Sequence, residues 1–196
     1  MDMGPRTLCL AELPPLKGEE KLFRPFWSEE DPEPFDPRIS QGYPAAREHY
    51  ASLWREWPLF LDFPDLRDLK RALQEGASPE DLLGLGPGHT PAGDDWITGW
   101  LVGLQWQKMF QTTERLRSFE RWFRKNRGME RTSWFSGEMI REALEGTTWA
   151  RPLELLRGME EDSPERVLRS AGEIACWGHT SGRAWLAGFA AALEVA

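Results

Sequence analysis

Lysine, tyrosine, cysteine and histidine are all scarce in this chain of 196 residues, and each shortage excludes something. Only five of its 24 basic residues are lysines (Lys17, Lys21, Lys70, Lys108 and Lys125), no basic run is long enough to track a phosphate backbone, and the formal charge is -8. A nucleic-acid partner is therefore not expected. The two cysteines, Cys9 and Cys176, lie far apart and form neither a disulfide framework nor a paired-thiol metal motif, so reduced thiols and a cytoplasmic location are the default. No apolar run approaches the roughly 20 residues of a membrane span and none has the pattern of a signal peptide, so no membrane partner is expected. A three-histidine metal site would consume His49, His89 and His179 together without any close ligand spacing, and that reading is set aside.

What the chain does have is tryptophan, 11 residues against 2 tyrosines, within a composition that is 40% hydrophobic and 29% charged. That balance supports one folded domain with a substantial core, and the largest side chains demand either that core or a binding surface. Texture divides the chain. Residues 1–64 hold 10 of the 15 prolines and read as a proline-rich N-terminal wrap or abbreviated subdomain with at most a few short strands, plus one short helix near 44–57. Residues 65–196 read as a helical domain. Apolar spacing predicts a helix after Asp65 ending near Gly76, a brief turn at Pro79, then helices over about 94–110, 113–124, 135–145, 152–158, 164–175 and 181–196. The fold class is mainly α.

The informative segment is Gly84-Leu85-Gly86-Pro87-Gly88-His89-Thr90-Pro91-Ala92-Gly93-Asp94-Asp95, which concentrates backbone permissiveness just before an apolar helix. One reading is capping: Thr90 at the N-cap with Pro91 following, or a start at Gly93 that puts both aspartates in the first turn, where the helix field favours negative charge. The other is a ligand site. Gly86, Gly88 and Gly93 would form an anion nest, His89 and Thr90 would add polar groups, and Asp94 or Asp95 would bind a divalent ion, with Mg2+ the one cofactor suggested. No Gly-Lys-Thr follows and the glycine spacing departs from the dinucleotide fingerprint, so both familiar nucleotide motifs are excluded.

An approximate internal echo repeats the order Gly-His-Thr, glycine turn, tryptophan, helix-borne glycine: Gly88 to Gly99 is matched by Gly178-His179-Thr180-Ser181-Gly182 through Trp185 to Gly188, one residue shorter. Two helix N-termini are therefore expected to converge on one cleft. The copies differ in chemistry, because Arg183 and Ala184 stand near where the first copy has its two acids. A third polar cluster, Arg131, Thr132 and Ser133 with Ser136, reads either as a helix cap or as the completion of an anion site through paired arginine hydrogen bonds.

These three segments together resemble a family of bacterial proteins that contains the AllH-type subunit associated with oxamate carbamoyltransferase. The resemblance runs from about Leu66 to Ala196. Family members are usually longer on the N-terminal side, so this chain is expected to be shortened there. His89 stands where a hydrophobic residue is expected and Ala184 where relatives often carry aspartate. The resemblance implies a carbamoyltransferase-like subunit that takes carbamoyl phosphate, a small amide or a small carboxylate, working with a protein partner or as a homo-oligomer. It assigns no catalytic residue. The rival readings are a noncatalytic small-anion-binding or regulatory subunit, and an assembly protein whose glycine loops merely pack helices.

Overall fold

In the computed structural model, residues 33–34, 61–107, 114–161 and 163–194 are described. The fold is mainly helical. After a 3-10 turn at Pro64–Leu66 come α1 (Arg67–Gln74), α2 (Pro79–Leu82), α3 (Ala92–Gln107), α4 (Glu114–Lys125), α5 (Trp134–Glu145), α6 (Ala150–Glu160), α7 (Pro164–Ala175) and α8 (Ser181–Glu194). Two short strands, β1 (Glu33–Pro34) and β2 (Thr147–Thr148), pair antiparallel with Glu33 opposite Thr148. Otherwise residues 1–60, including the helix expected near 44–57, lie outside the described residues.

Helices α3 and α8 form the centre of the body, with α5 packed on α3, α7 on α8 and α6 on α7. Every residue from Pro91 to Trp106 is buried, as is nearly all of α8. A helix apolar on all sides has no stable place except the interior, and their composition sends both there. By contrast α4 buries only one stripe, Leu116, Phe119 and Phe123, spaced three to four residues apart. Phe119 meets Trp100 of α3 edge-on at 5.8 Å.

Glycines set how close α3 and α8 come. A methyl group at Gly99 would be driven into the Trp185 carbonyl, and one at Gly188 into the Trp96 carbonyl. Farther along, Gly103 faces Phe189 and Ala192. Contacts thus advance in the same direction along both helices, which run parallel with their N-termini side by side. The tryptophans fill the space around this seam: Trp96 stacks on Trp100 at 6.2 Å, Trp185 on Phe189 at 5.3 Å, and Trp149 lies 4.9 Å from Trp177. Gln105, buried on α3, donates from Nε2 to the carbonyls of Leu144 at 2.7 Å and Ala143 at 3.2 Å. Those bonds add a side-chain donor to carbonyls in the last turn of α5, where intrahelical donors run out.

Among the described residues every helix expected after Asp65 is present with boundaries moved by a few residues, while the turn expected at Pro79 is the short helix α2, started by Pro79 and a Ser78–Asp81 capping box. The first long helix starts at Ala92 rather than 94, because the Pro91 carbonyl accepts the N–H groups of Asp94 at 2.9 Å and Asp95 at 3.1 Å. Pro91, not Thr90, therefore sits at the cap position, although both aspartates do fall in the first turn.

Candidate functional site

The glycine segment folds as a loop tied down from inside. Gly84 adopts φ +78°, a conformation that glycine alone takes without strain, and a Cβ there would press on the Arg131 carbonyl at 2.8 Å. Its N–H donates to Asp94 Oδ1 at 2.7 Å, while the Thr132 hydroxyl donates to Asp94 Oδ2. Ser133 and Ser136 both donate hydroxyl hydrogen bonds to the His89 carbonyl, the second at 3.3 Å. Ser133 Oγ also accepts the Ser136 N–H at 3.1 Å and so caps α5. Arg131 to Ser136 and the glycine loop, separated by some forty residues in sequence, are laced into one unit. Burial raises the Asp94 pKa, and the bonds from Thr132, Gly84 and Ser136 pull it back down.

Asp95 is the opposite case. It is 1% exposed, and neither carboxylate oxygen has a hydrogen-bond partner among the described residues. Burial pushes its pKa well above the ordinary aspartate value; the Ser181 hydroxyl nearby offsets part of this without reaching hydrogen-bond geometry, and the neighbouring Asp94 adds to the rise. Burial at this depth disfavours the charged form.

The two Gly-His-Thr segments share one cavity. Thr90 and Ser181 hydroxyls meet at 3.0 Å across the paired N-termini of α3 and α8. Around this contact opens a cavity of about 980 Å³ that Pro87, Gly88, Thr90 and Ala92 line from the first segment and Gly178, His179, Thr180 and Ser181 from the second. The remaining wall is α1 and the turn before it, with Asp65, Arg67, Asp68, Lys70, Arg71 and Gln74. His179 Nε2 lies 2.6 Å from Asp65 Oδ2 and fixes the second turn to that wall. Sequence reading did not find the α1 wall. Its signal was present in the spacing of Arg67, Lys70, Arg71 and Gln74, which places four polar side chains on one face of an amphipathic helix whose Leu69 is buried.

Parallel helices side by side align their dipoles unfavourably, and the positive ends of two helices of 16 and 14 residues sit at this cavity.

Several expected site residues stand elsewhere. Gly86 belongs to the loop but not to the cavity lining, and Gly93 and Gly182 are buried where each helix begins, against the carbonyls of Leu82 and Ile174 respectively. His89 is exposed and contributes its backbone carbonyl to the loop. The Arg131 guanidinium lies 4.9 Å above the Trp122 ring and does not line the cavity. Thr132, Ser133 and Ser136 hold the loop from behind. As for Mg2+, Asp94 has both oxygens engaged by protein donors, Asp95 is enclosed, and among the described residues no group of three or more His, Cys, Asp or Glu side chains is placed to hold a metal ion. A hard divalent cation takes six or more oxygen ligands, and this donor set does not fit one. Cys176 is half-buried at the C-cap of α7.

These features define a helical protein with an open cavity built where two parallel helices begin. Residues 82–193, more than half of the chain, match the family model described as oxamate carbamoyltransferase subunit AllH, and the chain belongs to that family. Its role is accordingly carbamoyltransferase-related. The match contains both glycine turns, Asp94, Asp95 and Arg131 to Ser136, and it stops short of α1. No curated protein and no solved structure matches the chain. No described helix is long and apolar enough to cross a membrane.

Proposed function

We propose that this chain is the substrate-binding component of a carbamoyltransferase and that the cavity at the N-termini of α3 and α8 receives its small anionic substrates. The observation that carries this reading is the convergence of the two helix N-termini, joined through Thr90 and Ser181 at 3.0 Å, on one open cavity. Backbone N–H groups and helix fields at such ends favour phosphate and carboxylate without needing a lysine loop.

In the transfer, an amide nitrogen attacks the carbamoyl carbon, the bond from that carbon to the phosphate oxygen breaks, and the proton lost by the nitrogen balances the one gained by the departing phosphate. Thr90, Thr180 and Ser181 offer hydroxyls at the cavity wall for the phosphate oxygens, and fixed donors of this kind stabilise charge as it develops. A partner chain, or a second copy, supplies the remaining catalytic groups. A noncatalytic anion-binding subunit is the second reading, favoured by the placement of Asp94 and Asp95 away from the cavity lining.

Calorimetric titration of the full chain with inorganic phosphate, carbamoyl phosphate and oxamate tests the site. Binding of at least one, weakened in the double variant Thr180→Val with Ser181→Ala, is expected. A folded chain that binds none of the three would overturn the reading. Turnover in the presence of neighbouring gene products, or ligand binding without it, separates the catalytic component from the regulatory one.

A further inference from the structure

The α1 wall carries three cations, Arg67, Lys70 and Arg71, against two carboxylates, Asp65 and Asp68. These cations are not equivalent. Lys70 is paired with Asp62, and Arg71 Nη2 with Asp68 Oδ1 at 3.2 Å. On the second turn, His179 is held by Asp65. Arg67 has no acidic partner among the described residues and spends a single donor, Nε, on the Pro64 carbonyl at 3.0 Å. That bond orients the planar guanidinium and leaves its two terminal nitrogens as an unspent fork. A fork of parallel N–H groups matches the two oxygens of a carboxylate.

The cavity is also far larger than one phosphate-sized anion requires, with room for a second anionic group beside the one at the helix ends. Arg131, the sequence-level candidate for this role, is occupied over Trp122. We propose that Arg67 is the residue that pairs with the carboxylate of the carbamoyl-accepting substrate, selecting it by a bidentate hydrogen bond while the helix ends take the phosphate. The assignment rests on the cavity being the anion site proposed above. Since α1 lies outside the residues that match the family, this contact is a specificity element supplied by the chain's own N-terminal part.

The test titrates the full chain and its Arg67→Ala and Arg67→Lys variants with oxamate and, separately, with inorganic phosphate. Arg67 is exposed, so unchanged thermal unfolding serves as the folding control. Loss of one charge-assisted bidentate pair weakens binding by about tenfold or more. Oxamate affinity is expected to fall by that factor in Arg67→Ala, with partial recovery in Arg67→Lys, while phosphate affinity changes by less than about threefold. Equal losses for both ligands would reduce Arg67 to a general electrostatic role and overturn the assignment. So would unchanged oxamate binding in Arg67→Ala, or a wild-type chain that binds phosphate but not oxamate; in these cases the anion site itself survives. A wild-type chain that binds neither oxamate nor phosphate overturns the Arg67 assignment, and one that also fails to bind carbamoyl phosphate overturns the anion site with it.

Discussion

Gly99 and Gly188 stand in reciprocal positions across the central seam: the first lies against the carbonyl of Trp185 and the second against the carbonyl of Trp96, each tryptophan three residues ahead of the other glycine. The approximate sequence echo is thus a spatial pseudo-symmetry, and it brings the two helix N-termini to the same end of the molecule.

Alanine at Gly99 or Gly188 has nowhere to put its methyl group, because backbone rather than a flexible side chain blocks it. Each substitution is expected to destabilise by about 3 kcal/mol or more, read as the denaturation midpoint in urea. Gly172, inside α7 with nothing within 4 Å of where a methyl group would sit and an ordinary helical setting, is the control. Alanine there should stabilise by roughly 0.5–1 kcal/mol. Similar effects at all three positions would refute the close-approach account.

Asp94 and Asp95 are adjacent and equally buried, yet their amide variants should move stability in opposite directions at neutral pH. Asp94→Asn loses an acceptor and turns an amide donor toward the Gly84 N–H or the Thr132 hydroxyl, at a cost of about 1–3 kcal/mol. Asp95→Asn removes a group that is costly to ionise and leaves no satisfied bond behind. Its melting temperature should equal or exceed that of the wild type.

The pH dependence carries a further sign. An Asp95 pKa raised above its unfolded value, about 3.9, means that the folded chain binds more protons through that interval. Its contribution to stability is full below the unfolded value and is lost as pH climbs through the raised one. The melting-temperature difference, Asp95→Asn minus wild type, should therefore grow from pH 4 to pH 8. A flat difference would show that the carboxyl group titrates normally.

Ser133 performs two tasks, capping α5 and holding the His89 carbonyl. Ser133→Ala is expected to cost about 1–2 kcal/mol in thermal unfolding, the range for a lost N-cap, and to loosen the glycine loop as faster amide exchange at Gly84 to Thr90. An effect confined to α5 would mean that Asp94 and Ser136 fix the loop without Ser133.

Arg131→Ala removes a cation held over an indole ring rather than a cavity residue. A stability loss of about 0.5–1 kcal/mol with unchanged phosphate binding is expected by calorimetry. A large loss of affinity would return Arg131 to the site.

Much of the helical body was legible in the sequence, since all-round apolar patterns at 94–110 and 181–196 and the one-sided stripe of Leu116, Phe119 and Phe123 report burial directly. Turn residues at Gly84 to Gly93 and Gly178 to Gly182 marked where the two central helices begin, and their repetition foretold one shared cleft. These are local properties, fixed by side-chain size, periodicity and backbone permissiveness within a few residues. Tertiary structure decided which polar groups face the cleft. Thr132 turns inward to Asp94 and Arg131 outward to Trp122 although they are neighbours, and α1 delivers Arg67 to a cavity that Gly178 to Ser181, more than a hundred positions later, also line. Such placements depend on the packing of distant elements, on which bonds a buried carboxylate can capture and on the directions in which a helix end leaves its side chains, none of which is written in the order of residues alone.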